Sequence, residues 1–198
     1  GTVAALPPLL GVPCTIKETF HFAGMPNTAG LVSRIGRKVA EDAPTVARLR
    51  AAGAVPLGVT NTSEVCMWME SYNRVYGLTN NPYDPTRTVG GSSGGEGAIV
   101  GSGASPFGLG GDVGGSIRMP AFFNGVFGHK CSPGLITNEG QFPGPSGNVD
   151  RYLATGPLCR RAEDLEPLLR ILGGPAAKRL QPVADVAASK LRVLQFAR

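Results

Sequence analysis

The feature that most constrains this chain is a concentration of glycine between residues 90 and 134. This segment of 45 residues holds 15 of the 29 glycines in the 198-residue sequence. Glycine and proline both oppose helix interiors, so a chain with 29 Gly and 17 Pro is not a simple helical bundle. The glycines are interleaved with Val, Ile, Phe and Leu, which is not the composition of a flexible linker. We therefore expect the segment to be folded and to use its backbone freedom at particular places.

The overall composition is that of a folded chain without a metal site. Hydrophobic residues make up 42% of the sequence and charged residues 17%, which is enough apolar material for a sizeable core. The four cysteines form no C-x-x-C pair and there are only two histidines, so we expect neither a metal nor another cofactor. Reduced thiols fit an intracellular protein, and no apolar run approaches the roughly 20 residues that span a bilayer.

The chain does not begin with Met, and we expect residues 1–198 to be a catalytic core that forms part of a longer single domain. Nine of the 19 basic residues, but only four of the 14 acidic residues, follow residue 150. This basic excess is not interleaved with aromatic residues, so a nucleic-acid partner is not expected. A solvated helix face is the favoured interpretation of the tail, and a membrane-surface role is the alternative.

Strand and helix patterns alternate along the chain, which favours an α/β fold with a partly parallel sheet. Asp42 is expected to cap a helix that ends at Ala52, and residues 163–172 have the amphipathic pattern of another helix. The other predicted elements are a loop and short strand over 9–16, strands over 54–59, 107–109 and 126–129, helices over 94–104 and 116–123, and a Gly/Pro loop over 141–148.

Two kinds of chemistry can be tested against the glycine segment. A phosphate-binding loop of the Walker type needs a Gly-Lys pair, which the chain lacks. The dinucleotide-binding pattern G-x-G-x-x-G also fails, because Val113 stands where the third glycine would be. A serine nucleophile remains, because the stretch from Gly90 to Gly94 matches the G-x-S-x-G elbow. An esterase of the Ser/His α/β-hydrolase type would then take Asp112 and His129 as its acid and base.

The second serine cluster, from Gly111 to Ser116, suggests a different catalyst. Consecutive glycines allow neighbouring backbone N–H groups to turn toward one point, where they can stabilise an oxyanion. A serine in this position needs a base, and a lysine kept neutral by burial is a candidate. Among the five lysines only Lys17 lies in an apolar segment punctuated by Pro and Gly, although spacing alone predicts a surface residue paired with Glu18.

Three separated blocks of the sequence resemble the amidase signature family of serine hydrolases. They are Gly11-Val12-Pro13 leading to Lys17-Glu18, the stretch from Gly90 to Gly97, and the stretch from Gly111 to Pro120. Within that family, the sequence from Gly91 to Gly97, which includes Glu96, is similar to the fatty-acid amide hydrolases. The resemblance covers about residues 9–172. It implies the amidase signature fold, a mixed central β-sheet covered by α-helices on both faces, here as a partial domain.

The resemblance also assigns roles to individual residues. It implies that Ser116 is the acyl nucleophile, Ser92 a bridging serine after a cis peptide bond, and Lys17 the base. Lys17 has to be neutral to accept a proton, and burial disfavours the charged amine. The resemblance implies further that the backbone N–H groups of Val113, Gly114, Gly115 and Ser116 form the oxyanion hole.

Several other residues receive supporting roles by the same resemblance. Ser93, Asp112 and Arg118 are expected to orient the catalytic network, although a purely structural ion pair is an equal alternative for Asp112 and Arg118. Cys66 is expected near the acyl pocket. The stretch Met67-Trp68-Met69 is predicted to belong to the core rather than to the pocket wall.

The function implied by the resemblance is that of a serine amidase. It would hydrolyse lipid amides, such as N-acylethanolamines and primary fatty amides, to fatty acid and amine through an acyl-serine intermediate. The resemblance also implies membrane association of the full-length protein and allows a homodimer. Two alternatives stay open at this point: an inactive or truncated amidase-like interaction module, and the Ser/His esterase.

Overall fold

A mixed five-stranded β-sheet forms the centre of the computed structural model, which describes residues 6–182, 185–186 and 189. The strands are β1 (Pro13–Lys17), β2 (Val55–Thr60), β3 (Tyr72–Asn73), β4 (Gly77–Leu78), β5 (Phe107–Asp112), β6 (Phe127–Gly128) and β7 (Ala154–Cys159). The order in the central sheet is β2-β1-β5-β7-β6, and β3 pairs with β4 separately. Strand β1 runs parallel to β2 and β5, whereas β7 runs antiparallel to β5 and β6.

The helices are short; three of them lie between strands in the chain, and α4 follows β7. They are α1 (Pro44–Ala51), α2 (Gly94–Gly101), α3 (Arg118–Phe123) and α4 (Leu165–Gly173), with 3-10 turns at Val32–Arg34, Glu64–Cys66, Gly147–Arg151, Ala162–Asp164 and Gly174–Arg179. Pro44 begins α1, where its missing N–H costs nothing. The prediction that Asp42 caps this helix is wrong. Its carboxylate instead accepts the N–H of Ala23 at 2.8 Å and pairs with Arg50, also at 2.8 Å.

Helices cover both faces of the sheet, as the resemblance implied. Neighbouring residues of a strand point to opposite faces, and Leu158 and Cys159 of β7 show which helices lie on each side. Leu158 packs with Ile117 and Ala121, which belong to the turn and helix of α3. Cys159 packs in the larger core, to which α1 and α4 contribute Val46, Leu49, Leu168, Leu169 and Leu172.

Strand β7 was not among the elements predicted from the sequence. Its six residues, Ala-Thr-Gly-Pro-Leu-Cys, are all buried, so they show no alternation of polar and apolar positions. They also include Gly156 and Pro157, which are both uncommon in strand interiors. The strand nevertheless lies between β5 and β6 in the sheet. Burial on both faces hides a strand of this kind from a periodicity argument.

The amphipathic helix predicted near the end of the chain is α4. Leu168, Leu169 and Leu172 are buried against the core, while Arg170 binds Glu166 on the outer side at 2.6 Å. Helix α4 carries one acidic and one basic side chain, so the interpretation of the basic tail as a solvated helix face stays a prediction. The basic residues Lys190, Arg192 and Arg198 of the tail lie outside the described residues. Within the described part of the chain, no helix has the length and apolar character needed to cross a membrane.

Candidate active site

A cavity of about 400 Å³ opens at the carboxyl end of β1 and β5. Five of the residues singled out in the sequence contribute to its wall: Lys17, Cys66, Ser92, Val113 and Ser116. Clefts at the carboxyl ends of parallel strands are common ligand sites in open α/β sheets. The fold thus brings four distant segments of sequence to one place.

Lys17 and Ser92 form a direct pair within this cavity. Lys17 is the last residue of β1 and only 1% exposed, so the spacing-based prediction of a surface residue is wrong. The central position of β1 between β2 and β5 explains its burial. Its Nζ donates a hydrogen bond to the Ser92 Oγ at 2.6 Å. The Gly91–Ser92 peptide bond is cis, as the resemblance implied.

The turn that carries Ser92 is held by a serine that the sequence did not single out. The Ser71 Oγ donates to the carbonyl oxygens of Gly90 at 3.0 Å and Ser92 at 3.3 Å, and it accepts the N–H of Gly94 at 2.8 Å. Gly91 lies against the backbone of residues 68–70, and a Cβ on Gly91 would come within 2.8 Å of the Met69 carbonyl carbon. This close approach explains why the turn needs glycine.

Ser116 follows β5 and lies half-buried at the cavity. Its carbonyl oxygen accepts the N–H of Ser93 at 3.1 Å. The Ser93 Oγ in turn donates to the carbonyl oxygen of Gly111 in β5 at 3.4 Å. Ser93 therefore fastens the segment that holds Ser116 to the turn that holds Ser92.

Asp112 organises the backbone around Ser116. Its fully buried carboxylate accepts the N–H groups of Gly115 at 2.7 Å, Ile117 at 3.1 Å and Arg118 at 3.3 Å. One predicted oxyanion donor is thereby occupied, because the Gly115 N–H points to the Oδ1 of Asp112. The Asp112 carboxylate does not take the other three predicted donors, the N–H groups of Val113, Gly114 and Ser116.

The same carboxylate is paired with cations. The Arg118 Nε and Nη2 donate to it at 3.0 Å each, and the Lys130 Nζ lies 3.4 Å from its Oδ1. Burial opposes the charged form of Asp112, but the hydrogen bonds from Arg118, Ile117 and Gly115 hold its pKa well below the usual range. Asp112 is therefore anionic at neutral pH, and it serves as an ion-pair partner and a backbone organiser at once.

The segment after β2 forms one rim of the cavity. Cys66 lines the cavity with a backbone φ of 62°, and the Val65 N–H donates to the carbonyl oxygen of Ala29 at 2.8 Å. The prediction that the next three residues belong to the core is wrong: Met67, Trp68 and Met69 are 77%, 64% and 59% exposed. The backbone of residues 68–70 packs onto Gly91, and Met67 contributes to the cavity wall.

Most of the remaining cavity wall was not predicted from the sequence. It consists of one strand position, Gly111 of β5, and of residues in turns and loops: Thr19, Val65, Met67, Gln141, Phe142, Pro143, Gly144, Pro145, Ser146, Val149 and Leu153. The signal that could have found part of it is the predicted Gly/Pro loop over 141–148, to which the sequence analysis assigned no role.

The histidine of the Ser/His alternative lies elsewhere. His129 is absent from the described residues that line the cavity, and burial lowers its pKa. Asp112, the acid of that alternative, is engaged by Arg118 and Lys130. In the part of the chain that the structure describes, no cluster of three or more His, Cys, Asp or Glu side chains could hold a metal ion.

Comparison with known proteins identifies the family. The family model named Amidase matches residues 2–193. The chain belongs to the amidase family. This amidase chain is 60% identical over 185 residues to fatty-acid amide hydrolase 2-A of the zebrafish Danio rerio, and 57% identical over 174 residues to fatty-acid amide hydrolase 2 of Homo sapiens. These alignments cover 93% and 88% of this chain but 35% and 33% of the relatives.

Solved structures agree with this assignment. The amidase chain superposes on a solved fatty acid amide hydrolase with a TM-score of 0.77 at 35% identity, over 84% of this chain and 29% of the other. The chain thus spans about a third of the length of the curated relatives it matches. The predicted membership of the amidase signature family and the predicted similarity to the fatty-acid amide hydrolases are confirmed, and so is the mixed α/β fold of a partial domain.

Proposed function

We propose that this chain is the catalytic core of a serine amidase that hydrolyses fatty-acid amides through an acyl-serine intermediate. The observation that carries the proposal is the buried contact of 2.6 Å between the Lys17 Nζ and the Ser92 Oγ, in a cavity that Ser116 also lines. A buried amine beside a hydroxyl is the arrangement that a lysine base needs. Ser116 is the nucleophile, Ser92 the bridging serine and Lys17 the base.

In the acylation step, the neutral Lys17 amine accepts the proton of the Ser92 hydroxyl while Ser92 accepts the proton of Ser116. The Ser116 Oγ forms a bond to the amide carbonyl carbon, and the carbonyl π electrons move to the oxygen. The oxyanion is stabilised by backbone N–H groups of Val113, Gly114 and Ser116, which Asp112 leaves available. Asp112 also fixes the turn in which these groups lie.

The intermediate then collapses with cleavage of the carbon–nitrogen bond. The proton held by Lys17 passes through Ser92 to the leaving nitrogen, so the amine departs neutral and Lys17 is again a base. A water molecule then attacks the ester carbon of the acylated Ser116, while Lys17 accepts a proton of the water through Ser92. The carbon–oxygen bond to Ser116 breaks, the proton returns to the Ser116 Oγ, and the carboxylic acid is released. No step needs an oxidant, a reductant or a second substrate other than water.

The substrate class is proposed from the cavity and from the named relatives. Apolar side chains, among them Phe142, Val149 and Leu153, form the wall beside the catalytic residues, which suits an acyl chain. Relatives at 60% and 57% identity are named fatty-acid amide hydrolases. The substrates would be N-acylethanolamines and primary fatty amides. Membrane association and homodimer formation of the intact protein stay predictions.

The proposal is tested with a fluorophosphonate probe, which reacts only with an activated serine. We expect the intact protein to be labelled and the Ser116→Ala variant to be unlabelled. A folded wild-type protein without labelling would support the inactive interaction module instead. For the substrate class, hydrolysis of saturated primary amides of increasing acyl length should rise in kcat/KM from short to long chains. A rate independent of chain length would contradict the lipid assignment but not the amidase chemistry.

A further inference from the structure

Glu96 is a fully buried carboxyl group that the proposed mechanism does not use. It lies in the first turn of α2, four residues after Ser92. The Thr15 Oγ1 donates to its Oε2 at 2.6 Å, and the Thr60 Oγ1 donates to its Oε1 at 2.6 Å. One side chain of α2 therefore binds two strands of the sheet at once.

These two threonines flank Lys17. Thr15 precedes Lys17 by two residues on β1, so both side chains point to the same face of the sheet. Thr60 is the register partner of Lys17 across the parallel ladder of β1 and β2. Glu96 thus binds Thr15, which lies two residues before Lys17 on β1, and Thr60, which lies beside Lys17 on β2.

The third strand is shaped to accept the carboxyl group. Gly108 of β5 is the register partner of Thr15, and a Cβ at this position would overlap the Oε2 of Glu96. The sheet therefore provides a socket for Glu96 that consists of two hydroxyl donors and one missing side chain. A close fit of this kind is expected where a group fixes the relative position of two elements.

Two titratable groups on β1 interact with Glu96: Lys17 lowers the pKa of Glu96, and Glu96 adds to the effect of burial in raising the pKa of Cys14. Burial raises the pKa of Glu96 to about 7, against the opposing effect of the two threonine hydroxyls and Lys17. Thr60 of β2 and Gly108 of β5 add no titratable group. Ionisation of Glu96 therefore changes the charge beside the Lys17–Ser92 pair.

We propose that Glu96 is a positioning residue for the Lys17–Ser92 pair. Its carboxyl group fastens the start of α2, which follows Ser92, to β1, which ends in Lys17. This inference rests on the proposed function, because it takes Lys17 as the base that activates Ser116. It adds a residue that touches neither the substrate nor the reacting atoms.

The test compares four variants of the intact protein: Glu96→Gln, Thr15→Val, Thr60→Val and the control Thr45→Val. Thr45 is also buried, but its hydroxyl has no hydrogen-bond partner, so its removal leaves the site unchanged. The measurement is the second-order rate constant for acylation of Ser116 by a fluorophosphonate between pH 5 and pH 10, values chosen to bracket roughly the carboxyl and amine titrations. Thermal melting of each variant measures its stability separately.

We expect Glu96→Gln to lower the maximal acylation rate by on the order of 10-fold or more, since small displacements of catalytic groups are costly. Its pH profile should lack the inflection that ionisation of Glu96 contributes near pH 7 in the wild type. Thr15→Val and Thr60→Val should each lower the maximal rate, and Thr45→Val should not. A purely structural role for Glu96 would lower the melting temperature without moving the pH profile.

The outcomes separate the two proposals. Absence of Ser116 labelling in the folded wild-type protein would overturn the proposed function. Normal labelling of the wild type together with a wild-type maximal rate and pH profile in Glu96→Gln would overturn only the positioning role. If Glu96→Gln does not fold, the two threonine variants decide, because each removes one hydroxyl with little change of volume. Wild-type rates in both would then overturn the inference.

Discussion

Buried charged side chains surround the proposed active site, and they differ in the partners that hold them. Asp112 accepts three backbone N–H groups and is paired with Arg118, so its charged form is strongly favoured. Glu96 accepts only two neutral hydroxyls and is fully buried, so its protonated form is favoured up to about pH 7. The two carboxyl groups therefore have opposite effects on how stability depends on pH.

The first prediction concerns Asp112. Because its pKa is lowered in the folded state, its carboxylate stabilises the fold at every pH above the unfolded value of about 3.8. Asp112→Asn should lower the free energy of unfolding by roughly 1–3 kcal/mol at pH 7, and the difference from wild type should shrink as the pH falls below that value. Urea unfolding of both proteins, at neutral pH and at a pH below the unfolded pKa, measures this difference in stability. The exposed control Asp150→Asn should show no such difference, and a loss independent of pH would contradict the charge assignment.

The second prediction concerns Glu96, whose ionisation has the opposite effect on the stability of the fold. A raised pKa means that the folded state binds more protons than the unfolded state between about pH 4.5 and 7. The contribution of Glu96 to stability should therefore fall as the pH rises through this window, and then stay constant. Subtracting the urea-unfolding profile of Glu96→Gln from that of the wild type isolates the effect. A difference that rises with pH across the window would show that the carboxylate is stabilised by the fold.

The third prediction tests the socket for Glu96 in the sheet. Gly108→Ala should lower the free energy of unfolding by about 1–3 kcal/mol, because the new methyl group overlaps the Glu96 carboxyl. The matched control is Gly58→Ala in β2, where an added Cβ meets only the Met25 methyl at 3.6 Å. In the double variant Gly108→Ala/Glu96→Ala, the carboxyl group that the new methyl group would overlap is gone. The loss of stability in the double variant should therefore be smaller than the sum of the losses in the two single variants. Full additivity of the two changes would show that they do not meet.

At the scale of elements, the sequence predicted four strands and all four α-helices of the described residues near their observed positions, but it did not predict β3, β4 or β7. The amphipathic pattern over 163–172 gave α4, and the apolar run over 54–59 gave β2. Strand β7 was missed because all of its residues are buried, which removes the alternation on which strand prediction depends. The capping role of Asp42 failed because Arg50 and the N–H of Ala23 are nearer partners for its carboxylate.

The fourth prediction tests the packing of α4 on the central core. Leu172 is 1% exposed and packs in the same cluster as Leu49 of α1. Leu172→Ala should destabilise the fold by about 2–5 kcal/mol, measured by urea unfolding, since the cavity that it leaves is enclosed. The control Leu57→Ala, at a position that is 58% exposed, should change stability by no more than about 0.5 kcal/mol. Equal losses in both variants would mean that α4 does not pack as described.

At the scale of the whole molecule, the sequence predicts which residues meet but not how they are held. Lys17 and Ser92 are 75 residues apart in the chain, and only the resemblance of three separated blocks predicts that they come together. Ser71 and the wall from Gln141 to Ser146 carry no motif of their own, because their roles depend on contacts made by the folded backbone. The socket for Glu96 likewise requires the register of three strands.

The most direct test of the central claim is the rate of Ser116 acylation by a fluorophosphonate in two alanine variants of the intact protein. If Lys17 is the base that acts through Ser92, Lys17→Ala should lower this rate by on the order of 10² to 10⁴-fold. His129→Ala should leave it close to the wild-type rate, since His129 lies outside the cavity wall. A near-complete loss of acylation in His129→Ala, with Lys17→Ala still reactive, would contradict the account.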